Sequence, residues 1–255
     1  MKLFPTTYCL SILVLSGVIV YAQPTSAIQH RNPTDTTYQN NLMIVRSAAG
    51  DTIEVSELKH GKRNGRQTLY YSNGEVSSIM HYKQGYLHGK AAYYRQGQQH
   101  PYKIAHYKLF AFPTAPESLL DGIYQSLGPE GNTLENIRYA RGAKNGPYEL
   151  YHDNGQLKEK GIYQENLHTG RKLQYSAARY LIKDEQYLII DNPEFKSRKN
   201  ESGGVQNKEQ KPTPGISPKV AVLHGHAKYY HPNGLLSSDL SFRYGKKEGR
   251  CKEYY

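Results

Sequence analysis

The sequence predicts an all-β protein, an elongated antiparallel meander of repeated β-hairpins. Three observations carry that reading: tyrosine dominates the aromatic residues, glycines recur at a fixed interval, and Asn-Gly pairs separate short alternating segments. The 255 residues hold 24 Tyr, 5 Phe and no Trp. Tyrosine suits a pleated, half-buried surface, so the bias favours sheets with thin or wet faces over a thick aliphatic core.

The repeat is read from the glycines. Gly65, Gly89, Gly146, Gly170, Gly225 and Gly249 are each followed five residues later by a tyrosine: Tyr70, Tyr94, Tyr151, Tyr175, Tyr230 and Tyr254. They fall into three pairs, each 24 residues apart, and a fixed period of this size marks a repeat array. Segments such as "RQTLYY", "PYELY" and "HAKYY" lead into "SNG", "DNG" and "PNG", with Gly74, Gly155 and Gly234 nine residues past the first glycine. Asn-Gly supplies the positive φ of a tight hairpin turn.

The returning strand alternates with period two. Val76, Met80 and Tyr82 share one face; so do Leu157 and Tyr163, and so do Leu236, Leu240, Phe242 and Tyr244. The last segment is two residues longer and is expected to hold a bulge or a longer hairpin. "GKRNG", "GYLHG", "GAKNG" and "GKKEG" read as a second, five-residue hairpin loop on the opposite edge. Glycine offsets identify weaker half units at about residues 42–61 and 122–142, and "RKLQYSAARYLIKDEQY" keeps the interval without Asn-Gly.

These units resemble MORN-type repeats, in particular the shorter bacterial variant of YwqK-family antitoxin-like proteins. The resemblance rests on Tyr70, Asn73, Gly74, Tyr82, Gly85 and Gly89, on Tyr151, Asn154, Gly155, Tyr163 and Gly170, and on Tyr230, Asn233, Gly234, Tyr244, Gly245 and Gly249. Asn166 replaces a loop glycine, Gly97 lacks its Asn partner, and Tyr stands where such units often carry Trp or Phe. The resemblance implies an interaction scaffold, with toxin neutralisation among its roles, and no cofactor.

Domain organisation follows from composition. Residues 1–22 read as a signal peptide, with Lys2, an apolar run and a small-residue cleavage site, and an uncleaved anchor is the alternative. Residues 23–41 form an N-terminal extension, and 42–190 the hairpin repeats. An insertion near 98–121 is expected to hold one helical turn started at Pro116. Residues 191–220 read as a disordered linker or loop. Residues 221–255 carry C-terminal repeats, expected to dock on the array and to end in an open edge strand. No segment after the signal reads as a stable transmembrane span. Export removes Cys9 and leaves Cys251, read as a partly buried thiol or an intermolecular bridge. The expected location is extracytoplasmic: periplasm, cell surface or medium.

Charge bounds the partner. Lys and Arg number 33 against 22 Asp and Glu, and loss of Lys2 leaves a net charge of about +10. The charges are scattered without a nucleic-acid motif, which argues against nucleic acid. An acidic protein, or alternatively an envelope glycan, fits an exported basic chain. The candidate contact residues are Tyr70, Tyr94, Tyr151, Tyr175, Tyr230 and Tyr254, with Lys62, Arg63 and Arg66. The tyrosines have a second reading as a cross-strand stack. Gly65, Gly74, Gly89, Gly146, Gly155, Gly170, Gly225, Gly234 and Gly249 are read as structural. No nucleophile elbow, phosphate loop or HExxH motif occurs, so no catalytic residue is assigned. His224 and His226 alternate on one strand, but the recurrence of histidine before a repeat glycine explains His224 without metal.

Overall fold

A computed structural model describes residues 35–193 and 217–255. The expected signal segment and most of the linker lie outside the described residues. The chain divides into two compact units: Met1–Gln29 with Asp191–Val220, and His30–Ile190 with Ala221–Tyr255. In the first, the Asn192 backbone N–H donates to the Pro218 carbonyl at 2.8 Å. The second contains the repeats.

Every element of the repeat unit that is described is a strand. β1 (Asp35–Gln39), β2 (Leu42–Arg46), β3 (Thr52–Lys59), β4 (Lys62–Tyr70) and β5 (Val76–Lys83) pair antiparallel, each with the next. β6 (Tyr86–Leu87) and β7 (Gly89–Tyr94) share β5 as partner; β8 (Pro101–Phe110) pairs with β7, and β9 (Glu117–Leu120) and β10 (Gly122–Leu127) with β8. β11 (Thr133–Ala140), β12 (Ala143–Tyr151), β13 (Leu157–Gln164), β14 (Leu167–Tyr175) and β15 (Leu181–Asp191) continue the meander. β16 (Lys219–Tyr230) and β17 (Leu236–Arg243) form the last long hairpin, and β18 (Lys246–Lys247) and β19 (Lys252–Glu253) pair with β17. The all-β hairpin meander expected from the sequence is the observed architecture.

The two kinds of turn exchange the roles that the sequence suggested. The tight two-residue turns are Asn40-Asn41, His60-Gly61, Gln84-Gly85, Arg141-Gly142, Glu165-Asn166 and Tyr244-Gly245, in which both residues have positive φ. That is the type I′ signature. The Asn-Gly turns are longer. In the first, the Gly74 N–H donates to the Tyr71 carbonyl at 3.0 Å and the Tyr71 N–H to the Glu75 carbonyl at 2.8 Å. Only Gly74 has positive φ, at 84°, as in a three-residue loop whose glycine forms a bulge. Asn73 serves by its side chain, its Oδ1 accepting the Glu75 N–H at 3.1 Å. Asn154 and Asn233 do the same for Gln156 and Leu235.

The second glycine of "GKRNG" is not in the turn. Gly65 lies inside β4 at φ 117°, where the pairing jumps from Ser56↔Gln67 to Leu58↔Arg63, so it is the bend of a bulge. The pairing to β5 lapses around Gly89 and that to β17 around Gly249, so β6 and β7, and β18 and β19, are separate strands, while Gly89 itself pairs with Tyr107 on β8.

Other local expectations change. The helical turn at Pro116 is absent: residues 117–120 are strand β9, and within 98–121 the larger non-strand piece is the loop 111–116. Phe242, not Tyr244, takes the register of Tyr82 and Tyr163, because Gly225 pairs with Phe242 as Gly65 does with Tyr82. The β16–β17 hairpin has the same bulge before its turn as its siblings, and Tyr244 sits in a type I′ turn. Cys251 is exposed rather than partly buried.

One face of the sheet carries most of the packing. Ser56, Gln67 and Met80 lie across from one another on β3, β4 and β5, and Ile137, Tyr148 and Gly161 on β11, β12 and β13. Tyr148 is 1% exposed, over Gly161, where a Cβ would come within 3.0 Å of its ring. Its ring centroid lies 4.4 Å from that of Tyr163, which lies 4.4 Å from that of His168. Carboxylates sit among these rings. Tyr148 and Gln174 donate to Glu159, Tyr187 and Tyr229 donate to Glu185, and Ser56, Arg63 and Gln67 donate to Glu54. The core is therefore one layer of small residues and tyrosines laced by charged hydrogen bonds, here called the Tyr148 face.

Candidate binding surface

The opposite face, the Arg66 face, is built by the bulges. Each bulge glycine leaves room for a side chain from the preceding strand: Glu57 faces Gly65, His81 faces Gly89, His106 faces Gly122 and Arg138 faces Gly146. The residue after each glycine points the same way, since Arg66 pairs with His81 and Lys90 with His106. The result is a cross-strand row. It begins at Glu57 on β3, whose Oε2 accepts the Arg66 backbone N–H at 3.0 Å, runs Arg66, His81, Lys90, His106 over β4, β5, β7 and β8, passes Ile123 on β10, and continues as Arg138, Pro147, Ile162 and Arg171 over β11 to β14.

The row is ordered by its backbone. The Nδ1 of His81 lies 2.9 Å from the Lys90 carbonyl, and that of His106 lies 2.8 Å from the Ile123 carbonyl. A carbonyl only accepts, so Nδ1 carries the proton and donates, leaving Nε2 as each ring's other polar group. Arg66, Lys90 and Arg138 are exposed and make no ion pair with any described residue. Arg171 is held by Asp184 through two bonds of 2.8 Å and remains 62% exposed. Between Arg66 and Arg171 the row contains no acidic residue.

Its middle is apolar. Ile123 and Ile162 are each 45% exposed. Pro147, Ile162 and Leu173 line an open depression of about 500 Å³ together with Asn136, Glu149, Lys160 and Arg171. Glu149 accepts a hydrogen bond from Tyr151 Oη at 2.7 Å.

The residues singled out from sequence are distributed differently. Arg66 is in the row and Lys62 is exposed beyond it. Arg63 belongs to the Tyr148 face, where its guanidinium pairs with Glu54 at 2.7 Å and lies over the Tyr82 ring. Tyr70, Tyr94, Tyr151, Tyr175 and Tyr230 are half-buried at strand ends, and Tyr254 is 42% exposed. No ring contact among the described residues joins these six, so the cross-strand stack expected of them is not formed. Ring contacts belong instead to inner residues, T-shaped between Tyr124 and Tyr139, tilted between Tyr148 and Tyr163, and stacked between Tyr163 and His168. His224 and His226 take separate partners: the His224 ring packs 5.1 Å from Tyr244, and His226 faces Asp239 at 3.6 Å.

Sequence reasoning missed His81, Lys90, His106, Arg138 and Arg171. A signal was present. Each follows a repeat glycine or precedes the aromatic position that closes the strand, and only the bulge brings those two positions side by side.

The family model described as MORN repeat variant matches the chain three times, at residues 63–84, 144–165 and 223–243. Each match is one Asn-Gly hairpin: β4–β5, β12–β13 and β16–β17. The structure adds hairpins of the same build outside those matches. In the β2–β3, β10–β11 and β14–β15 turns the same two backbone bonds recur, with Arg179 at φ 69° in the glycine position of the last. MORN repeats are associated with modules that bind proteins or membranes and are typically non-catalytic. No curated protein matches the chain. Among the described residues no helix is long and apolar enough to cross a membrane.

Proposed function

We propose that the chain is an exported, non-catalytic scaffold that captures an acidic protein partner on its Arg66 face. The observation that carries this is the cationic row, which past Glu57 has no acidic member from Arg66 to Arg171 and leaves Arg66, Lys90 and Arg138 without ion pairs among the described residues. Exposed side-chain charges aligned in this way steer and orient an oppositely charged partner. Export rests on the N-terminal sequence pattern. The likeness to YwqK-type antitoxins supports reading the partner as a toxin-like protein and the chain as an immunity protein acting outside the cytoplasm. Five of the six tyrosines expected to form a binding face for a glycan or a protein are half-buried, which leaves the Arg66 face as the more accessible surface.

The test is affinity capture from envelope extract with the full chain and an Arg66→Ala, Lys90→Ala, Arg138→Ala variant, at low salt and at moderate salt, where the screening length is about 10 Å. The expected result is a partner protein retained at low salt and lost both in moderate salt and in the variant. Equal retention by the variant overturns the proposal.

A further inference from the structure

We infer that the stretch Arg138, Pro147, Ile162, Arg171 is a docking track for an amphipathic helix of the partner that carries acidic residues at both ends of an apolar stripe. The inference rests on the binding reading above and specifies what is bound. The four residues occupy successive strands, β11 to β14, and Pro147 pairs directly with Ile162. Neighbouring strands stand about 4.8 Å apart, so the two arginines are separated by three intervals, about 14 Å. Ten residues of α-helix advance about 15 Å, and one turn about 5.4 Å. A helix laid across the strands thus brings one side chain per turn over each position: an acid on Arg138, two apolar residues on Pro147 and Ile162, and an acid on Arg171.

The chemistry agrees with the spacing. Ile162 is 45% exposed, and the depression formed by Pro147, Ile162 and Leu173 gives an apolar stripe a place to pack. Arg171 gives two of its donors to Asp184, and a guanidinium has five, so it can donate to a second carboxylate. Arg138 is exposed and free of ion pairs among the described residues. Arg66 and Lys90, earlier in the row, supply the field that guides an acidic helix to the track.

Other partners fit less well. An extended acidic peptide repeats its same-side residues about every 6.7 Å and falls out of step after one strand. Duplex DNA carries a charge about every 1.7 Å and offers nothing to two aliphatic residues. An acidic glycan finds no exposed aromatic ring among the four positions on which to stack a sugar. Because neighbouring strands are rotated by about 20–25°, a straight helix follows only a short run of them.

The test uses the full chain and a fluorescent synthetic helical peptide with two glutamates flanking two leucines along one face. Controls are the same peptide with a central proline, a peptide with the glutamates moved to the opposite face, and sodium polygalacturonate. Anisotropy titration is expected to show binding that weakens at least tenfold in the Arg138→Ala, Ile162→Ser variant and with either control peptide. Circular dichroism should confirm that the variant keeps its sheet, and Lys59→Ala, off the row, should bind as wild type. Equal binding of the proline peptide, unchanged binding by the variant, or tighter binding of polygalacturonate overturns the inference. If salt-sensitive capture from envelope extract persists while the helical peptide fails to bind, the helix track is wrong and the scaffold reading stands. If the captured partner is also retained by the Arg66→Ala, Lys90→Ala, Arg138→Ala variant, both fall.

Discussion

Tyr229 on β16 donates its hydroxyl hydrogen bond to Glu185 on β15 at 3.0 Å, joining strands whose residues are 44 apart in the chain. Glu185 is 7% exposed and is also bonded by Tyr187. Burial, with the charge and hydrogen bond of Glu185, pushes the Tyr229 hydroxyl up to about 12, so it stays a donor at neutral pH. Residues 221–255 are therefore fastened to the array by a charged hydrogen bond as well as by packing.

Tyr229→Phe should cost about 1.5–3 kcal/mol, the range for a hydrogen bond to a charged group. Hydrogen exchange is the readout. Faster exchange in β16 and β17 with β4 and β5 unchanged is the expected pattern, and uniform protection would count against the fastening role.

Gly65→Ala should destabilise by roughly 1–3 kcal/mol, because the residue is held at φ 117° and a new Cβ would fall 2.0 Å from Glu57 Oε2. Gly50→Ala is also strained, at φ 88°, but nothing lies within 4 Å of it. Adding Glu57→Ala to Gly65→Ala should recover part of the loss in a urea titration. Absence of rescue would show that backbone strain alone sets the cost.

Asn154→Ala should cost more than Asn73→Ala. Both side chains accept a backbone N–H two residues on, but Asn154 Nδ2 also donates to the Ala177 carbonyl at 3.2 Å. With about 0.5–1.5 kcal/mol for each bond, thermal melts should separate the two variants.

Acid should weaken the fold through Glu54. Burial acts to raise its carboxyl, but hydrogen bonds from Ser56, Arg63 and Gln67 and the charge of Arg63 outweigh it and hold the group below the usual carboxylate range. A carboxylate with a depressed folded value contributes stability above its unfolded value, about 4.3, and loses it as pH falls through the folded one. The urea midpoint should therefore fall more between about pH 6 and about pH 3 in the wild type than in Glu54→Gln. Parallel falls would remove Glu54 from the account.

The sequence made the hairpins legible because Asn-Gly pairs and 24-residue spacing are direct consequences of turn geometry. It did not reveal which turn was tight. Gln84-Gly85 and Glu165-Asn166 show little in common as letters, yet both adopt two consecutive positive φ values. Nor did it show that Gly65 is a bulge rather than a loop residue, and the binding row depends on that. Arg63 and Arg66 look equivalent on the page, but the bulge between them sends Arg63 to Glu54 and Arg66 to the opposite face. The 24-residue tyrosines were conspicuous because they sit beside turns. Several rings of the Tyr148 face obey a less obvious rule, eight residues past the turn glycine, as in Tyr82, Tyr139 and Tyr163, and in Tyr187 where Arg179 takes the glycine position.

The bulge glycine also governs how such a surface can grow. Each added hairpin brings one residue after a glycine and one before the closing aromatic, so a duplication of 24 residues lengthens the row by two sites without disturbing the Tyr148 face. A lineage can then retune its partner at those two letters per copy while the folding code is inherited unchanged.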